Sequence, residues 1–142
     1  MTELRTAALT VLGGVLVYVL GHMLEKFVLE PVLEQRRLIG QIASSLVFYA
    51  NEYSNPGKGR PEAMAEARDA FRDQASELRA SAYTVPCYGI FAWLRRVPAL
   101  RAVIQASHDL IGLSNSIHTA TVVTGPETSL RIRQLLGIPS GD

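Results

Sequence analysis

A single cysteine, Cys87, excludes an intramolecular disulfide and any site built from several thiolates. Charge is scarce as well. Asp, Glu, Lys and Arg make up 19% of the chain, below the roughly 25% of ordinary soluble domains. Neither sign dominates: fourteen basic residues face thirteen acidic ones, and a net charge of +1 gives no electrostatic footprint for nucleic acid. The three histidines, His22, His108 and His118, lack the HExxH or His-x-x-x-His spacing of a metal site. Gly57-Lys58-Gly59-Arg60-Pro61 has glycines beside a lysine but neither the pattern nor the strand-to-helix setting of a phosphate loop. Internal repeats and low-complexity tracts are missing too. The residues therefore predict no catalytic group, no metal site and no cofactor.

What the chain does have is apolar sequence. At 142 residues it has room for one domain, and its 48% hydrophobic share argues against intrinsic disorder. Thr6 to Leu24 contains no Asp, Glu, Lys or Arg. As a helix it spans roughly 28 Å, close to a hydrocarbon core of about 30 Å. A buried helix of a soluble protein is rarely apolar on every side. A cleaved signal peptide has a shorter apolar stretch and an Ala-x-Ala-like site, whereas Glu25, Lys26 and Phe27 follow here. An uncleaved transmembrane anchor is expected. Lys26, Arg36 and Arg37 outnumber Arg5 across the span, which places the C-terminal bulk in the cytoplasm. Ala7, Gly14 and Gly21 recur every seven residues and share one face, a stripe on which a second helix can approach closely.

Beyond the span the period is helical throughout. Pro31 predicts a kink or a helix start. Val32, Ile39, Ile42, Leu46, Tyr49 and Tyr53 then form one apolar seam, with Gln35 in the single gap, out to about Ser54. Ser54 to Pro61 is a loop. Met64, Ala67, Phe71, Leu78, Ala82 and Val85 form the next seam, with Gln74 or Ala75 between, and Asp69, Arg72, Asp73 and Glu77 on solvated faces. Val103, Ala106, Leu110, Leu113, Ile117 and Ala120 form a third seam within Ala99 to Thr121, widened by Ile104 and Ile111. Leu130, Leu135 and Leu136 belong to a short last helix that ends at Gly137 and Pro139. The fold class is all-α: a single N-terminal transmembrane helix followed by a small helical bundle. Residues 1–31 form the anchor and juxtamembrane segment, and residues 32–142 a helical cytosolic domain.

Three places attract a functional reading. Tyr88, Phe91, Trp93, Arg95 and Arg96 have the make-up of a short helix lying at the membrane interface, or of a plug closing the end of the bundle. Arg101, His108, Gly112, Asn115 and Thr119 share a face opposite the third seam and offer a partner surface. A mid-helix glycine such as Gly112 is usually justified by close approach of another backbone, across which Ser114 and Asn115 can hydrogen-bond. Cys87 is expected buried and inert. The whole pattern resembles that of small bacterial membrane-anchored proteins, with the motif of no functional family. The expected partners are the lipid bilayer and another protein or a second copy of the chain. The expected function is a scaffold, adaptor or self-assembling interaction module. The alternatives are a small accessory subunit of a larger membrane complex and a membrane-bound enzyme.

Overall fold

The computed structural model describes residues 2–118 and 124–139, and all regular structure among them is helical. α1 (Thr2–Leu24) buries no side chain. It continues through one π-helical stretch, Glu25–Leu29, into α2 (Glu30–Phe48), so that Thr2 to Phe48 is a single 47-residue helix. The helix does not restart at Pro31. That proline has no N–H for the preceding turn, and the wider turn just before it absorbs the missing bond: the Glu30 N–H reaches back to the Glu25 carbonyl. The first part of this helix is long and apolar enough to cross a membrane, and none of its most apolar window is buried.

Burial begins at Val32 and then follows Gln35, Leu38, Ile42 and Leu46. Leu38, not Ile39, takes the centre of the seam, and Ile39 packs at its margin. The helix breaks at Tyr49 before α3 (Ala50–Ser54), where a continuous helix to Ser54 is expected. The break is held by the buried Tyr53 hydroxyl, which donates to the Leu46 carbonyl at 2.7 Å.

α4 (Pro61–Thr84) returns antiparallel to α2, with Gln74 Nε2 donating to Ser45 Oγ at 2.6 Å and the Tyr49 ring packed edge-on to Phe71. Every residue of its expected seam is buried, and Ala75 fills the gap. The short α5 (Tyr88–Trp93) turns the chain into α6 (Leu100–Ser116), which packs along α4 more extensively than any other pair of helices. α7 (Gly125–Leu136) returns along α6. Phe71, Leu46 and Leu110 are fully buried in one core with Val103, Leu113 and Ile132.

Two details of that core differ from the sequence pattern. Ile111 is exposed, and the α6 stripe widens instead through Ser107 and Ser114, both fully buried. Their hydroxyls turn back to the Ile104 and Ile111 carbonyls at 2.7 Å, so each serine behaves as a small, self-satisfied side chain that lets helices approach. On α7 Ile132 enters the core and Leu130 stays outside. Gly137 ends α7 in the left-handed region, and the Ile138 N–H closes back on the Arg133 carbonyl at 2.9 Å. Ala120 of the third seam lies outside the described residues.

The glycines give a direct test of this packing. A Cβ on Gly125 overlaps the Tyr53 carbonyl, whereas one on Gly112 meets nothing within 4 Å. Gly125→Ala should therefore destabilise the intact chain by about 1–3 kcal/mol through forced backbone movement. Gly112→Ala should stabilise it by about 0.5–1 kcal/mol, as expected in an exposed helix interior. Thermal melts of the two variants against the parent check both signs.

Candidate functional site

The segment from Tyr88 to Arg96 joins two features that sequence reasoning held apart. Its inner side is a plug. Tyr88, Phe91 and Ala92 pack on a small cluster of Val32, Val85 and Val97 at the start of α2. Gln35, fully buried in the only polar position of the α2 seam, donates from Nε2 to the Tyr88 hydroxyl at 3.0 Å. The Tyr88 hydroxyl in turn donates to the Pro98 carbonyl at 2.9 Å. Burial raises the Tyr88 phenol above its ordinary value, and the Gln35 hydrogen bond offsets part of that rise. The Gln35 side-chain oxygen has no partner among the described residues.

Its outer side is bare. Trp93 is 81% exposed, Ile90 and Leu94 are exposed beside it, and so are Arg95 and Arg96. Two residues in left-handed conformation bracket the helix, Cys87 at φ 46° and Arg95 at φ 54°. Such φ values strain a non-glycine residue, and here they fix where the short helix enters and leaves. Cys87 is exposed, not buried, because it occupies this turn.

Arg36, Arg95 and Arg96 line one groove of about 620 Å³, with Ile39, Leu135 and Ile138 among its apolar lining. Among the described residues no acidic side chain lines it. None of these arginines makes an ion pair among the described residues, whereas Arg37 lies 3.9 Å from Glu34. The part of Arg36 was not legible in the sequence, because the groove forms only when α2, the turn after α5 and the end of α7 meet.

The other candidates fall elsewhere. Arg101, His108, Gly112 and Asn115 all lie on the exposed side of α6, and Asn115 Oδ1 accepts from Arg72 at 2.8 Å. Thr119 lies outside the described residues. Among the described residues no backbone approaches Gly112, and the buried Ser114 hydroxyl bonds within its own helix, so of the expected cross-helix hydrogen bonds only that of Asn115 to α4 is present. Asp109, beside His108, is buried and takes both Arg131 donors at 2.7 Å, with Gln105 at 3.1 Å. This pair ties α6 to α7, and the carboxylate raises the Arg131 guanidinium further, by hydrogen bonding first and charge second. Ala7, Gly14 and Gly21 are exposed on α1. Among the described residues no group of three or more His, Cys, Asp or Glu is placed to hold a metal ion.

The Gln35–Tyr88 link carries a stability prediction. Tyr88→Phe leaves the buried Gln35 amide without a partner at either end and should cost about 1–3 kcal/mol. Gln35→Leu removes an orphaned oxygen, keeps the Tyr88–Pro98 bond and should be at least as stable as the parent. With the Tyr88 pKa raised in the folded state, its contribution is intact below about pH 10 and lost as pH climbs through the raised value. Melting temperature followed into the alkaline range should fall less steeply in Tyr88→Phe.

Comparison of the chain with protein families, curated proteins and solved structures finds no match.

Proposed function

We propose that this chain is a single-pass membrane protein whose helical domain serves on the cytoplasmic side as a scaffold, adaptor or self-assembling module, without catalysis of its own. One observation carries the reading. The Thr2–Phe48 helix is bare over its apolar first part and lines a packed core over its last turns. A bare apolar helix in water exposes far more contiguous apolar surface than soluble monomers tolerate, and a bilayer removes that cost. The unbroken passage into α2 favours a retained anchor over a removable leader, since the helix goes on to supply Val32, Leu38, Ile42 and Leu46 to the core. The basic residues Lys26, Arg36 and Arg37 on the domain side favour a cytoplasmic bundle.

Support for an interaction role comes from the far end of the bundle. Val47, Phe48 and Leu130 are more than half exposed there, and Val47 and Leu130 share a groove with Pro126 and Arg133. A second reading, an accessory subunit docked through its span, rests on the Ala7, Gly14 and Gly21 stripe on a helix that buries none of its own side chains.

Reporter fusions at residue 142 should read as cytoplasmic, and an extracytoplasmic signal overturns the orientation. The mass of the detergent-solubilised chain separates the two readings. A scaffold forms a defined homo-oligomer, while a docked subunit remains monomeric on its own. If the span mediates assembly, Gly14→Ile weakens it and Gly13→Ile does so less; equal behaviour of the two rejects the stripe.

A further inference from the structure

We infer that the α5 end of the bundle docks on the bilayer itself, with Arg36, Arg95 and Arg96 receiving an anionic lipid headgroup and Trp93 entering the interface beside it. The inference rests on the reading of α1 as a membrane span. Its second support is position. α5 is pinned to the first turns of α2 through Val32 and Gln35, and Arg36 follows Leu24 by about 18 Å of helix. The headgroup layer occupies the first several ångströms beyond the hydrocarbon edge. Arginine side chains can extend several ångströms toward the interface, and tilt of the helix within the usual range lowers the α5 end toward the headgroups.

The chemistry of the surface selects the occupant. An indole with exposed aliphatic neighbours prefers the boundary between headgroups and acyl chains to water, and Trp93 stands 81% exposed between Ile90 and Leu94. Arginine forks match phosphate oxygens bidentately. Among the described residues the groove they flank holds no carboxylate to compete. Glu25, Glu30 and Glu34 lie on the connecting helix, Glu34 beside Arg37, and none of them lines the groove. A zwitterionic headgroup brings its own cation to three arginines, so the surface discriminates for net negative lipid.

The test uses the intact chain in nanodiscs of phosphatidylcholine alone or with added phosphatidylglycerol. Trp93 is the only tryptophan, so its emission reports on α5. Anionic lipid should shift the emission to the blue, shield it from acrylamide and expose it to quenching by acyl-brominated lipid. Each arginine removed, in Arg36→Gln or Arg96→Gln, should lower the docked-to-free ratio about five-fold. Added salt should act in the same direction on the unmodified chain, which needs no variant to fold. Emission that stays water-quenched in both compositions overturns the docking while leaving the span intact. Emission shielded equally in both overturns the choice of an anionic headgroup. Release of the chain from membranes by alkaline extraction overturns the span, and the docking with it.

Discussion

The structure depends on one helix that meets two environments. Between Thr6 and Leu24 it presents apolar side chains in every direction, and from Val32 onward it presents them in only one. The first pattern is stable where no water competes, because an α-helix satisfies its own backbone and asks nothing else of the surroundings. The second is stable only against α4, α6 and α7, which must cover the exposed seam. Both demands are met without a break in the backbone. Pro31, which removes one rung of the ladder, is accommodated by a local widening of the preceding turn. The bundle therefore continues the membrane-crossing candidate through one unbroken helix.

That continuity makes the polar residues at the junction informative. Gln35 occupies a position where an aliphatic side chain would pack without any unsatisfied atom. Instead it reaches the Tyr88 hydroxyl, which holds the Pro98 carbonyl, so a single chain of hydrogen bonds fixes α5 between α2 and the entry to α6. An apolar residue at this point gives adhesion without register. The left-handed turns at Cys87 and Arg95 serve the same end. They let six helical residues sit across the end of the bundle, with one face sealing the Val32–Val85–Val97 cluster and the other left bare.

The helical seams were legible because burial follows the 3.6-residue period wherever the apolar residues are unambiguous, as at Phe71, Leu78, Leu110 and Leu113. Legibility failed where two neighbours compete for one position. Leu38 displaces Ile39, Ile132 displaces Leu130, and Ser107 and Ser114 take the side of α6 that Ile104 and Ile111 seemed to claim. Small side chains win when a close helix approach matters more than apolar area, and that depends on the neighbour rather than on the helix itself. For the same reason only the fold shows that Gly125 is the point where α7 comes closest to the Tyr53 backbone. The Asp109–Arg131 pair was hidden by its separation in sequence. The candidate site was half legible. The composition of residues 88–96 posed the choice between interface and plug, and only the fold shows that the two faces of the segment differ.

A helical bundle this small buries its seams at the cost of leaving apolar residues at its ends, where no helix is available to cover them. Here they fall into two sets. Val47, Phe48 and Leu130 lie at the end remote from α1, and Ile90, Trp93 and Leu94 at the end beside it. Their settings differ in charge. Arg133 alone accompanies the remote groove, whereas Arg36, Arg95 and Arg96 surround the near one. An isolated apolar residue costs a protein little. An exposed indole beside arginines that make no ion pair among the described residues has the composition of an interfacial segment, whereas the remote set is apolar apart from Arg133. On the proposed reading, that division would have the span and α5 hold the domain against a membrane and leave the opposite end for a protein partner.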